Sequence, residues 1–241
     1  VKWKISVKQV QQVSFFKAFL AVLSGVSFSV TTPNRVGEYL GRVLYMKEGN
    51  RLKTISITIA GSISQLIITL LMGCTGLVLL RSRIEAEQLA SPIWMNVIIY
   101  GVLAVLVFLT VFYFRLSWLV RWFERLPGVK RFTYLVNALE EFNATLLLKL
   151  LSLSLVRFIV FTIQYYLVFR LFDVDIAWWP AFWTVSVSFL VMAVIPTISL
   201  LELVQRGKVV ATVVGLYSVN ELGMNLATAG IWFINLVIPA I

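Results

Sequence analysis

The chain has 241 residues, 60% of them hydrophobic and 13% charged, with a mean hydropathy of +0.91; polar groups cannot cover that much apolar surface, which excludes a water-soluble domain and places the chain in a bilayer. Its net charge of +10 would suggest nucleic acid in a soluble protein. Here the basic residues sit in short segments between apolar runs, a pattern of membrane topology and anionic-lipid contact, so no nucleic-acid partner is expected. No histidine occurs, which removes His triads, His metal sites and a His proton switch, and the lone Cys74 reads as a small buried hydrophobe with no disulfide partner in the chain.

Six apolar stretches follow one another, most of them long enough to cross a hydrocarbon core, which takes about 20 helical residues. They are continuous and do not alternate at period two, which argues against a β-barrel. The opening VKWKISVKQVQQV is basic and amphipathic, unlike a signal peptide, and the chain starts at Val1, so upstream helices are expected to be missing. Residues 14 to 32 form the first stretch, with Lys17 near its start, where it can snorkel to the interface. Residues 54 to 80 form the second and carry Gly61, Gly73 and Gly76, small residues that let membrane helices approach closely. Residues 93 to 114 form the third, without a charge. Residues 142 to 172 form the fourth, interrupted by Lys149 and Arg157. Residues 176 to 201 form the fifth, opening on Trp178, Trp179 and Trp183 as an interfacial aromatic belt does. Residues 209 to 241 contain the sixth, interrupted by Asn220 and Glu221, which divide a half-helix from a final span. The fold class expected is an all-α polytopic membrane protein, one integral-membrane domain over residues 1–241.

Basic residues orient it. Residues 33 to 53 hold five Lys or Arg against two Glu, and residues 115 to 141 hold five against three, whereas residues 81 to 92 hold only Arg81 and Arg83. By the positive-inside rule the two richer loops face the cytoplasm. Lys2, Lys4 and Lys8 ask for the same side, although residues 14 to 32 intervene. Either that stretch dips in and returns, with Pro33 at the break, or the first segment violates the rule; broken backbone is tolerable where protein or a water-filled cavity satisfies it.

The most informative string is TTPNRVGEYLGR, residues 31 to 42, which places Pro33, Arg35, Gly37, Glu38, Gly41 and Arg42 directly after an apolar run. Similar chemistry returns in IPTISLLELVQRGK, where Pro196, Glu202 and Arg206 again follow an apolar run with the glutamate four residues before an arginine, and a VSF triplet precedes both passages. They are candidate halves of an internal repeat, with broken or re-entrant helices at Pro33 and Pro196. Each Glu–Arg pair shares one helix face. It either caps a helix at the water edge, where it contributes little, or lines, with Arg35, a polar cavity for a phosphate-bearing headgroup, because the planar guanidinium matches phosphate oxygens. A charge at the bilayer centre costs on the order of 2.5 to 3.5 kcal/mol, so Arg157 should point inward, with Glu221 its candidate partner. Gly37 and Gly41 have GxxxG spacing, read as tight backbone packing around the site. Asn143-Ala144-Thr145 matches a glycosylation sequon by chance at an apolar edge.

At these residues the chain resembles the transmembrane, flippase-type region of lysylphosphatidylglycerol synthases. The resemblance covers most of the chain. Its strongest element is the Pro-x-Arg-x-Gly-Glu pattern of Pro33, Arg35, Gly37 and Glu38, with Arg42 following. The second is a proline and glycine-rich turn leading to a glutamate, matched by Pro196 and Glu202, with Thr197 to Leu201 in place of the glycines. The resemblance implies an inner-membrane protein of about six or more helices that moves lipid or lipid-linked substrates between leaflets. The expected partner is a membrane phospholipid or lipid-linked substrate with an anionic headgroup, with a homo-oligomer as a further expectation, and no metal or cofactor is expected. Nothing in the chain corresponds to the soluble aminoacyltransferase domain, so a stand-alone, non-enzymatic member is expected. The rival classes are a structural subunit and a membrane enzyme acting on a lipid-linked sugar or phosphate. The latter would draw on Glu38, Glu202, Glu221 or Glu140-Glu141; Asp173-Val174-Asp175 reads as a solvated linker and not as a Mg²⁺ site.

Overall fold

A computed structural model describes residues 1–8, 10–30, 32, 36–115, 144–195 and 199–240, and every described element is helical. In chain order these are α1 (Lys2–Val7), α2 (Phe15–Val30), α3 (Gly37–Val43), α4 (Arg51–Ala86), α5 (Pro92–Phe114), α6 (Ala144–Leu171), α7 (Trp178–Val194), α8 (Ser199–Val214) and α9 (Glu221–Trp232); α9 continues through a π-helical turn, Phe233–Val237, into α10 (Ile238–Ala240). Among the described residues four helices are long and apolar enough to cross a membrane: α4 with its preceding turn, α5, α6, and α9 together with α10. At 1.5 Å per residue the 36 residues of α4 reach about 54 Å, well beyond a hydrocarbon core of about 30 Å.

The shorter apolar helices belong to two hairpins. Helix α2 turns back into α3, and the two meet backbone to backbone: a Cβ on Gly41 would lie 2.5 Å from Ser24 O and 2.7 Å from Gly25 Cα. Gly37 N donates to Thr32 Oγ1 at 2.8 Å, and Thr32 Oγ1 donates to Phe28 O at 3.2 Å, so a threonine closes the described side of the turn. The glycine spacing expected to pack tightly therefore does so within one hairpin. Helix α7 turns back into α8 in the same way, with Val185 of one and Val210 of the other in a shared core.

The ends of the bundle follow from contacts. At one end Val13, Met46, Tyr113 and Leu146 share a core, and Gln11 Oε1 accepts from Lys47 N at 3.2 Å, which places the start of α2, the exit of α3, the start of α4, the end of α5 and the start of α6 together. At the other end Arg83 Nη1 donates to Leu216 O at 3.3 Å and lies over the Tyr217 ring at 4.1 Å, while Asn220 Nδ2 donates to Phe172 O and Asp173 O, each at 3.1 Å. The α2–α3 hairpin thus enters from the first end and the α7–α8 hairpin from the second. This removes the conflict over Lys8 and residues 14 to 32: the stretch dips in and returns, and the segments on both sides of it share one end of the bundle.

Apolar residues without β-strand alternation form these helices, and local chemistry ends them. Gln88 (φ 56°) and Asp173 (φ 54°) take left-handed conformations just after α4 and α6, with Leu89 N donating to Ile84 O and Val174 N to Phe169 O, the Schellman closure that satisfies carbonyls orphaned at a helix end. Gly73 and Gly76 seat α7 on α4: a Cβ on Gly73 would lie 2.4 Å from Leu190 Cβ, and one on Gly76 3.0 Å from Trp183 O. Trp178 and Trp183 accordingly turn inward, and only Trp179 of the expected aromatic belt is exposed. Cys74 is buried in the same α4 surface, as its small size suggests.

Candidate functional site

Each hairpin carries one glutamate–arginine pair on its second limb. On α3 Arg42 donates to Glu38, and on α8 Arg206 donates to Glu202, each within one helical turn. Neither pair is fully exposed. The side chains of Arg42 and Glu38 are 13% and 30% exposed, and those of Arg206 and Glu202 are 17% and 8% exposed. Arg206 is further held by Tyr165 on α6, whose hydroxyl accepts from Nη1 at 3.3 Å. Arg42 Nε and Arg206 Nε are both buried with no acceptor among the described residues. Two arginines in matching positions thus each keep one donor unused.

Helix α6 supplies the group between them. Arg157, which is exposed and not enclosed as expected, borders two cavities among the described residues. The smaller, about 100 Å³, is lined from α2 and α3 by Ser29 and Glu38, from α8 by Arg206, and from the C-terminal span by Trp232 and Asn235. The larger, about 590 Å³, is lined by Lys2, Glu38, Arg42, Gln65 and Arg157, a size within the range of small-molecule sites. Glu38 from the first hairpin, Arg206 from the second and Arg157 from α6 therefore border one cavity.

Glu221 does not join them. Asn220 caps α9, accepting from Gly223 N at 2.9 Å, and places Glu221 exposed in the first helical turn beside Phe172. Phe172 lies fifteen residues beyond Arg157 along the same chain, about 22 Å at helical rise, so the expected Arg157–Glu221 pairing is corrected. The final span begins at Glu221 and is not interrupted by it. An Asn followed by an acidic residue is itself the signature of a helix start, where a carboxylate is favoured by the macrodipole. Lys149, exposed near the start of α6, reaches the nearer end of the bundle.

Sequence reasoning missed three contributors. Lys2 does not lie with the basic residues at the bundle end. Its Nζ donates to Gly61 O at 2.6 Å and to Ser154 Oγ at 2.7 Å, and Ser154 Oγ lies 2.9 Å from Ser64 Oγ, a buried polar chain linking α1, α4 and α6. Gly61 lies ten residues into α4, about 15 Å from its start. The signal available was Trp3, Ser6 and Val7 on one buried face of α1, a pattern of a packed helix more than of a surface one. The others are the π-helical turn, a distortion frequent at functional sites, in which Asn235 Nδ2 donates to Gln164 Oε1 at 2.9 Å, and Trp232, whose Nε1 is buried without a partner among the described residues.

Pro33, Arg35, Pro196, residues 116 to 141 and Asn143 lie outside the described residues, as does the Glu140-Glu141 pair. Asp173 and Asp175 stand exposed in the turn after α6, with Asp175 4.0 Å from Arg170. Among the described residues no three His, Cys, Asp or Glu side chains are grouped to hold a metal ion.

Several apolar spans around two hairpins make this a multi-pass integral membrane protein, and the family its sequence matches is one of membrane proteins related to lipid modification or translocation. Residues 1–239 match the Lysylphosphatidylglycerol synthase TM region, essentially the whole chain, and the chain belongs to that family. No curated protein and no solved structure matches it.

Proposed function

We propose that this protein is a lipid translocase of the bacterial or archaeal plasma membrane, carrying a phospholipid or lipid-linked substrate by its anionic headgroup. One observation carries the reading: two hairpins entering from opposite ends present Glu38, Arg42 and Arg206, each arginine paired to a glutamate of its own helix, to cavities that share Arg157. Arginine suits the role because its fork stays charged and binds phosphate oxygens in two-point fashion. The glutamates hold the guanidinium planes in place, so the geometry exists before a headgroup arrives. A phosphate at Arg42 can be handed by Arg157 to Arg206, moving from the cavity of one hairpin to that of the other while its acyl chains stay in lipid.

Reconstitution into vesicles with a fluorescent phosphatidylglycerol in both leaflets, followed by chemical quenching of the outer leaflet, tests this. Wild-type protein should raise the quenched fraction above the half accessible in protein-free vesicles. Glu38→Gln and Arg206→Lys should lower the rate while folded protein remains in the membrane. Equal rates for wild type, both variants and empty vesicles would refute translocation.

A further inference from the structure

The smaller cavity is bordered by two side chains whose buried N–H groups no described residue accepts. Arg206 commits Nη1 to Tyr165 and Nη2 to Glu202, and its buried Nε has no acceptor among the described residues. Trp232 reaches the same cavity from the C-terminal span, and its Nε1 is buried without an acceptor as well. Buried donors are nearly always satisfied, and each exception calls for a cause. Here two exceptions, from α8 and α9, border one cavity.

The position of Trp232 is held by its surroundings. The π-helical turn that follows it, Phe233–Val237, is tied to α6 by Asn235 Nδ2 donating to Gln164 Oε1 at 2.9 Å, and α10 beyond it is tied to α2 by Ser27 Oγ donating to Ala240 O at 3.1 Å. Trp232, Asn235 and Leu236 all border the cavity, at the spacing of one helix face.

Chemistry narrows the occupant. An indole N–H and a guanidinium N–H donate and cannot accept, so the group that fits must bring lone pairs. A volume of about 100 Å³ takes a few waters or one compact oxyanion, and it lies below the roughly 300 Å³ at which sites for whole small molecules begin. Glu38, the carboxylate on this wall, is engaged by Arg42 of its own helix. Glu38 and Arg157 also border the larger cavity, so a headgroup can set its phosphate in the smaller cavity and the rest of itself in the larger.

We propose that Arg206 Nε and Trp232 Nε1 together receive a phosphate oxygen of the headgroup in the smaller cavity, which makes Trp232 a further binding residue. The assignment rests on the lipid-headgroup reading above. The indole contributes a hydrogen bond without adding a charge to the interior.

The test measures binding, so that it does not depend on transport. Purified full chain in a neutral, phosphate-free detergent is titrated calorimetrically with short-chain phosphatidylglycerol and with short-chain glucosyl diacylglycerol, which has hydroxyls and no phosphate. Wild type should bind phosphatidylglycerol at least about tenfold more tightly. Trp232→Phe keeps an aromatic ring and removes the donor; it should weaken phosphatidylglycerol about tenfold, the weight of one hydrogen bond to a charged group, and leave the glucosyl lipid unchanged. Because Trp232→Phe can also disturb packing, Val26→Phe supplies a second route: it fills the cavity from α2 and should erase the preference without touching either donor. Unchanged phosphatidylglycerol affinity in Trp232→Phe, an equal loss for both lipids, or an unchanged ratio in Val26→Phe would overturn the assignment, and the cavity would then hold only water. Inorganic phosphate added as a competitor separates the sources: it should displace phosphatidylglycerol only in large excess, and displacement at equal concentration would give the site to a soluble oxyanion and overturn its assignment to a headgroup. A confirmed preference with no movement of any lipid in vesicles would sink the translocase reading and leave the subsite standing.

Discussion

Replacing Gly41 with alanine introduces a methyl group where α2 and α3 are closest. The added Cβ would lie 2.5 Å from Ser24 O, 2.7 Å from Gly25 Cα and 2.7 Å from Gly25 N, all of them backbone atoms that no rotamer change can move. Ordinary contact between such atoms is about 3.5 Å, so α3 must retreat by about 1 Å. Overpacking of this kind costs about 1–3 kcal/mol. Gly101 on α5 is the matched control, because a Cβ there meets nothing within 4 Å. Alanine gains about 0.5–1 kcal/mol over glycine in a helix at both positions, so the difference between the variants isolates the clash. With about 2–4 °C of melting temperature per kcal/mol for a chain of this size, Gly41→Ala should melt roughly 4–8 °C below Gly101→Ala for a clash of about 2 kcal/mol. Light-scattering or dye-based melting in one detergent suffices to measure it. Identical melting temperatures would refute a hairpin closed through Gly25 and Gly41, and with it the placement of Glu38 and Arg42 inside the bundle.

The two carboxylates should differ in structural weight: Glu202 is the more enclosed, so Glu202→Gln, which strands Arg206, should lower the melting temperature more than Glu38→Gln, with a loss of about 3 kcal/mol or more expected for breaking a buried pair. Glu221→Gln should leave Arg157→Leu unimproved, its own effect being that of a first-turn charge, about 0.3–1 kcal/mol; recovery in the double variant would restore the rejected pairing. On a Cys74→Ala background, Glu87→Cys and Asp175→Cys should label from one side of the membrane and Gly49→Cys from the other, with Gly49 on the cytoplasmic face; labelling of all three from one face would break the assignment of bundle ends.

Class, helical content and the pairing of Glu38 with Arg42 and Glu202 with Arg206 were legible in the chain because each is local. Apolar length, basic asymmetry and i,i+4 spacing are properties of neighbouring residues, and a bilayer leaves few folds that satisfy them. The choice between a dip and a full crossing for residues 14 to 32 was not local, since both satisfy backbone hydrogen bonding equally well. Contact between Gly25 and Gly41, and between the two hairpin exits and opposite ends of α4, decided it. The same holds for the charges. Arg157 and Glu221 look equivalent along the chain, each a charge inside an apolar stretch. The cap at Asn220 places Glu221 in the first turn of α9, whereas Arg157, also exposed, lies mid-way along α6 at the border of two cavities. Lys2 shows the reverse case: a lysine next to other lysines reads as part of a basic surface, and it takes the packing of Trp3 and Val7 against α4 and α6 to carry its Nζ to Gly61 and Ser154, at the wall of the larger cavity.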